Sequence, residues 1–401
     1  MMNVKEIRKL FPIFNQVKPL HYLDSAASSL KPQVVLDAMD SYYEKLGVNV
    51  HRGTYQLTYE ATDLYEKARS TVADFINAAT DEVVFTRGAT EALNMVAYSY
   101  RNILKPGDEI ITSELEHHSQ LIPWQVTAKK TGAKLVFIPL DKAGKITVEN
   151  FSEVLSDKTK VVAINHVSNA LGYETPVKEI TRLAHEKQAI VSLDAAQSIA
   201  HQKIDVKELN VDFLAFSGHK MFGPSGIGVL YGKKELLNDL EPMQYGGEMA
   251  DDVFHEYATV KPSPIRFEAG TPIIAGAIGL GSAIEFILAL GYDKIHTHLT
   301  KLHQMLIAEL KEIKEITLYN ETASHPTVTF NIKDIHPHDI ASYLDQKGVS
   351  VRAGHHCAQL VSRFLNVPST LRVSLHIYNT EEDLFVLIDA LKEAHQFFSS
   401  F

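Results

Sequence analysis

Ser217-Gly218-His219-Lys220-Met221-Phe222-Gly223-Pro224 is a polar turn set between two apolar runs, residues 211–216 and 227–231. A lysine in that position ends a buried strand. Desolvation there disfavours the ammonium form and leaves a neutral amine able to attack a carbonyl. An isolated turn lysine is ordinarily a solvated surface residue, and what sets Lys220 apart lies upstream. Asp194 closes the apolar strand 190–193 and leads into Ala195-Ala196-Gln197, where small side chains let a flat ring approach the backbone. A carboxylate at a strand end is the partner that a protonated heteroaromatic nitrogen requires.

Outward from this pair, strand and helix patterns alternate. Residues 83–86, 109–113, 134–139, 161–165 and 190–193 read as strands, and 92–104, 121–131, 148–155 and 180–187 as helices. That alternation predicts a mainly parallel sheet covered by helices, with ligands gathered at the strand ends. His117, Asn169 and Asp194 each follow one of these strands, and Lys220 follows the apolar run 211–216. Arg87-Gly88-Ala89-Thr90-Glu91 turns a strand directly into a helix, whose free amides and dipole form a ready phosphate cradle. The same five residues also read as a plain helix cap with Thr90 near the cap position.

Further out, residues 4–14 read as one short amphipathic helix and 20–24 as a strand entering the small-residue loop Ser25-Ala26-Ala27-Ser28. Helical spacing covers 32–46 and 55–76, split by His51-Arg52-Gly53. Residues 246–264 lack periodicity and read as a hairpin or loop. The turn Arg266-Phe267-Glu268-Ala269-Gly270-Thr271-Pro272 then precedes a glycine-rich helix over 273–290. Beyond Gly291 the pattern is that of a smaller α+β unit, with helices expected over 332–348 and 384–398.

A chain of 401 residues, 45% hydrophobic and 22% charged, is long enough for two domains and a large core. Its net charge of -10, with 39 scattered basic residues, argues against sequence-independent nucleic-acid binding. The first ten residues mix charges without an apolar signal region, and no apolar run approaches the roughly 20 residues that span a bilayer. The expected location is the cytoplasm, with no membrane partner. The chain has 1 cysteine, so thiol chemistry, where it occurs, falls on Cys357.

Asp194, Gln197, Ser217, His219 and Lys220 together resemble the fold-type I pyridoxal phosphate enzymes, specifically the class V aminotransferase-like group, over nearly the whole chain. A second stretch, Arg352-Ala353-Gly354-His355-His356-Cys357-Ala358-Gln359, narrows the resemblance to the group II cysteine desulfurases of SufS type and their selenocysteine-lyase relatives. The resemblance implies an α/β fold with a large mainly parallel domain, residues 20–285. A small α+β domain, residues 1–19 and 286–401, would carry the cysteine loop and Arg372.

It also implies a set of roles. Lys220 would hold pyridoxal 5'-phosphate covalently and then act as a base. Asp194 would partner the pyridine nitrogen, Gln197 and Asn169 the phenolic oxygen, and His117 would cover the ring face. Ala89, Thr90, Ser217 and His219 would hold the phosphate, joined across a homodimer interface by Thr271 of the other subunit. Ala26, Asn169, Arg352 and Arg372 would bind the substrate, L-cysteine or L-selenocysteine, with Arg372 clamping its carboxylate. Cys357 would take the sulfur as a persulfide and pass it to an acceptor protein of SufE or SufU type, for iron–sulfur cluster assembly.

Only a thiolate attacks sulfur, and His355, His356 and Arg352 are the neighbours expected to favour it. Rival readings are weaker on residue spacing. A metal site built from His117, His118, His355, His356 and Cys357 lacks the usual ligand spacing. Gly223, Gly226 and Gly228 have the wrong spacing for a dinucleotide loop and precede a strand. A scaffold that binds pyridoxal phosphate without turnover leaves the retention of Lys220, Cys357 and Arg372 unexplained.

Overall fold

The computed structural model describes residues 3–400; Met1, Met2 and Phe401, at the ends of the segments assigned above to the smaller domain, lie outside the described residues. A seven-stranded sheet runs, from edge to edge, Val83–Thr86, Gly228–Gly232, Phe213–Ser217, Ile190–Asp194, Thr159–Asn165, Glu109–Ser113 and Lys134–Ile138. The last five are mutually parallel, and Gly228–Gly232 is antiparallel to both its neighbours. Leaving Glu109–Ser113, the chain goes first to the edge strand and later to the opposite side. That reversal opens a crevice at the carboxyl ends, the usual ligand position in such sheets.

Both faces of the sheet are covered, which the residue alternation records. Leu214 and Phe216 belong to one hydrophobic core, Phe213 and Ala215 to the other. Successive strand side chains point to opposite faces, so a strand buried on both reads as a continuous apolar run. Gly228 is required by close approach: a Cβ there would lie 2.5 Å from Gly88 Cα and 2.6 Å from the Phe216 carbonyl oxygen. The strand can thus pack against the turn that opens helix Ala89–Ser99.

A second, four-stranded antiparallel sheet has the order Ile316–Leu318, Thr327–Ile332, Thr370–Ser374, Arg352–Gly354. The N-terminal segment runs beside it: His21–Tyr22 and Val349–Ser350 form a separate parallel two-stranded sheet, and a single bridge joins Asp24 to Ser374. Helix Ile274–Leu290 runs unbroken through residue 285 and ends at Gly291. Phe216 of the large sheet and Phe330 and Leu371 of the small one share a single core.

Some elements differ from the sequence reading. The single helix expected over 4–14 is two, Val4–Lys9 and Ile13–Gln16, with Pro12 capping the second. A proline cannot donate within a helix and breaks the run. The helix expected over 332–348 is Pro337–Asp345, with His336 as its cap, because proline is favoured at the first helical turn. Residues up to Ile332 are strand instead. The segment 246–264 is a hairpin of Ala250–Val253 and Ala258–Val260.

A buried ion pair fixes the turn that carries Thr271. Glu268 accepts from Arg69 at 2.7 and 2.9 Å and from the Phe85 amide at 2.7 Å, tying that turn to strand Val83–Thr86. Among the described residues no single helix is long and apolar enough to cross a membrane.

Candidate active site

The carboxyl ends of the parallel strands and the end of the four-stranded sheet enclose a cavity of about 190 Å³. Its walls include Ala26, Ala89, Thr90, His117, Asn169, Asp194, Ser217, His219, Lys220, Arg352, Cys357 and Arg372. Two sequence-predicted residues lie elsewhere. Gln197 is buried and donates to the Ala26 carbonyl at 2.9 Å. Thr271 is exposed and lines a separate cavity of about 220 Å³ with Arg87 and Glu268. A larger cavity, about 1070 Å³, lies between the N-terminal segment and helix Glu381–Phe398 and holds none of the predicted site residues.

Desolvation dominates the wall built by the large sheet. Lys220 sits in the short turn Gly218–Lys220 directly after strand Phe213–Ser217. Burial pulls its amine pKa down, with Asp194 opposing and Arg372 reinforcing the shift. Asp194 is buried and its carboxyl is pushed up by that burial, against the charge of Lys220 and one hydrogen bond from the Ala196 amide at 2.9 Å. His117 caps helix His118–Thr131 by accepting the Ser119 amide on Nδ1 at 3.1 Å. Burial first, then the charge of Lys220, holds it near 3, so the ring is neutral with its proton on Nε2.

The opposite end of the cavity has the chemistry of an anion site. Helix Ala89–Ser99 opens there on Gly88, and Ser217 Oγ accepts the Ala89 amide at 2.8 Å. Thr90 Oγ1 and Ser119 Oγ are 2.7 Å apart. Remaining amides of the first helical turn lack intrahelical partners and favour a bound anion. His219 also borders this end, its ring held near 4 chiefly by burial.

The wall from the small sheet supplies positive charge. Arg352 and Arg372 are register partners on antiparallel strands, so both side chains leave the same face. Arg372 donates to the Asn169 carbonyl at 3.0 Å and to Asp24 at 2.9 Å, while its Nε is buried without a partner. Arg352 Nη2 reaches Cys357 Sγ at 3.9 Å. His356 is buried, bonded to Thr370 Oγ1 at 2.8 Å, and pushed down to about 2 chiefly by burial. His355 is exposed and pairs with Ser362. Of the three groups expected to assist the thiolate, Arg352 is the one in contact with sulfur.

Several contributors escaped the sequence reading. Asp24 partners Arg372, Ser119 meets Thr90, and Glu116 lies buried directly before His117. Asp24 had one signal, an acid at the mouth of a small-residue loop. Ser119 had none, because its partner is 29 residues away. Among the described residues no group of three or more His, Cys, Asp and Glu is placed to hold a metal ion.

The Aminotransferase class-V family profile matches residues 21–387. The chain belongs to that family. A protein of Halalkalibacterium halodurans described as a probable cysteine desulfurase is 52% identical over 402 residues, 99% of each chain. Among solved structures, the cysteine desulfurase CsdA of Escherichia coli, in an S-sulfonic acid form, superposes with TM-score 0.93 at 36% identity, covering 99% of each chain. The apo cysteine desulfurase of Thermococcus onnurineus NA1 gives 0.94 at 42% identity and 98% of each chain. The family's cofactor is pyridoxal phosphate, and the residues present fit it. A desolvated lysine, a buried carboxyl with a single hydrogen bond, a neutral imidazole and an anion cradle line one cavity.

Proposed function

We propose that this chain is a cysteine desulfurase, a sulfurtransferase that converts L-cysteine to L-alanine and takes the sulfur as a persulfide on Cys357. The observation that carries the reading is that Cys357, Lys220 and Arg372 line one cavity although they come from different sheets. Pyridoxal phosphate, when bound, supplies an electron sink for the carbanion at the substrate α-carbon. Asp194 would hold the proton on the ring nitrogen, and neutral His117 would cover the ring face. Thr90, Ser217 and His219 hold the phosphate. Asn169 would complete the ring's polar surroundings, and Gln197, bonded to the Ala26 carbonyl outside the cavity, would act through that loop.

Lys220 would anchor the cofactor and would take the α-proton as a neutral amine, the form that its desolvation favours. Arg372, which lines the cavity, would clamp the substrate carboxylate, and such charge-assisted bonds contribute about 1.5–3 kcal/mol each. Ala26 and Arg352 close the substrate's other sides. The Cys357 thiolate attacks the substrate sulfur, the carbon–sulfur bond breaks, and the electron pair stays with carbon until a proton restores alanine. Cysteine and one enzyme thiol thus yield alanine and one enzyme persulfide, with no external oxidant.

The persulfide then passes to an acceptor of SufE or SufU type, in the cytoplasm, for iron–sulfur cluster assembly. The same reading divides the chain at residues 20–285 and pairs it as a homodimer, with Thr271 reaching the partner's phosphate. Its exposure and its place outside the cavity support that assignment. Incubation with L-cysteine should release alanine and leave one extra sulfur on Cys357, detected by alkylation and mass spectrometry. Wild type that forms alanine without ever carrying that sulfur would refute the persulfide route. Comparison with L-selenocysteine separates the lyase alternative, and absence of any turnover would favour a binding scaffold. Sedimentation of an active, cofactor-loaded monomer would overturn the shared site.

A further inference from the structure

Glu116 follows strand Glu109–Ser113 and immediately precedes His117, yet none of the chemistry above uses it. It is 1% exposed. Its Oε1 accepts two hydrogen bonds, from Ser113 Oγ at 2.6 Å and Asn165 Nδ2 at 2.9 Å, while Oε2 is buried without a partner. Asn165 ends the neighbouring strand and is the register partner of Asp194. One carboxyl therefore links the ends of two parallel strands. The first strand leads into His117, and the second lies against Asp194.

Two buried carboxyls in one neighbourhood do not both ionise unless cations offset them. Asp194 has the Ala196 amide at 2.9 Å and, in the placement proposed above, the protonated ring nitrogen opposite it. Glu116 has two neutral donors. Burial, and after it the charge of Asp194, hold Glu116 up at about 8, against the hydrogen bonds of Ser113 and Asn165. The titratable group that acts on it is Asp194, on which Lys220 acts in turn, and His117 is its neighbour in the chain.

We propose that Glu116 acts as an uncharged carboxylic acid, a positioning residue that clamps the strand ends beneath His117 and leaves Asp194 the sole anion facing the cofactor's ring nitrogen. This role rests on the ring placement proposed above. Glutamine at 116 offers the same acceptor and a neutral group at the position of Oε2, so it substitutes for the acid. Ionised Glu116 places a second negative charge beside Asp194, which shifts the ring's proton equilibrium and its visible absorption.

The test uses the holoenzyme as wild type, Glu116→Gln and Glu116→Ala. At neutral pH, wild type shows the infrared carbonyl band of a buried carboxylic acid, and Glu116→Gln lacks it. Raising the pH through about 8 bleaches that band in wild type and shifts the cofactor absorption; Glu116→Gln shows no such absorption step. Glu116→Gln keeps cofactor affinity and kcat within about twofold, whereas Glu116→Ala loses about tenfold in kcat with its two hydrogen bonds. A missing carboxylic-acid band, or an identical absorption step in Glu116→Gln, overturns the proposal while leaving the desulfurase reading intact. Wild type that makes no alanine from cysteine breaks that reading instead, and the infrared result stands apart from it.

Discussion

The two walls of the cavity solve opposite electrostatic problems. On the large-sheet side, Lys220, Asp194 and His117 are all shifted by burial toward their uncharged forms. On the small-sheet side, Arg352 and Arg372 face each other across a ladder, although like charges directly opposite are destabilising. The backbones differ in the same way. Strand Phe213–Ser217 is regular and wholly buried, whereas His356 and Cys357 take left-handed φ values of 54° and 57°, each costing about 1–2 kcal/mol. The Cys357 carbonyl is held by the His118 amide at 2.8 Å and that of His356 by Asn169 at 2.6 Å. Proton chemistry at a cofactor needs a neutral amine, and sulfur capture needs an anion. One wall favours an uncharged amine and imidazole beside a single carboxylate, and the other supplies positive charge.

Removing the central group of the desolvated wall should have the largest effect. Lys220→Ala should lower turnover by more than about 10⁴-fold. It should also abolish the borohydride-reducible link to protein while ring and phosphate contacts retain some cofactor. A reducible link surviving in Lys220→Ala would place the anchor on another lysine and dissolve the contrast between the walls.

The charged wall should fail differently. Cys357→Ala should bind pyridoxal phosphate as wild type does, yet lose about 10³-fold in cysteine desulfuration, because the chain has no other thiolate. Selenocysteine turnover should fall less, since a selenol leaves more readily than a thiol. Equal loss on both substrates would show that Cys357 shapes the wall rather than receiving sulfur.

Arg352→Met sharpens the comparison with opposite signs. Persulfide formation should fall about tenfold as the cation leaves the sulfur, while the fold gains about 0.5 kcal/mol through relief of the arginine pair. Denaturant midpoints and single-turnover alkylation measure the two. A variant that loses both stability and persulfide would mean that Arg352 serves packing first.

The desolvated wall was the more legible one in sequence, for a physical reason. Apolar runs predict buried strands, and polar residues at their ends, such as Asp194 and Lys220, inherit the buried environment. The charged wall was visible through a resemblance to the cysteine stretch, because no periodicity announces a left-handed turn at His356. The same limit hid Asp24, whose role exists once Ser374 is paired beside it. Pro337 was misread as helix interior because the apolar spacing of Ile332 and Ile335 continues through the turn that it starts.

The seam between the walls gives the smallest effect. His201, His325 and His376 pack there with ring centroids 4.5 and 4.7 Å apart, and His325 touches the Gln197 carbonyl at 3.2 Å. Burial drives all three below the ordinary histidine range, His376 to about 3, with His325, Lys31 and His298 adding to its shift. Their folded pKa values lie under the unfolded value near 6.5, so the unfolded chain takes up protons first as the pH falls. Stability is therefore full above about 6.5 and declines as the pH falls below it, His376 removing about 1 kcal/mol over the first pH unit. His376→Asn keeps an acceptor for the Ile377 amide, which His376 Nδ1 binds at 3.0 Å, but does not titrate. Urea unfolding at the two ends of that pH unit should show its loss of stability smaller than that of wild type by about 1 kcal/mol. An unchanged pH dependence would mean that water already reaches the seam, and that the two walls are joined by a wetter contact than the buried imidazoles imply.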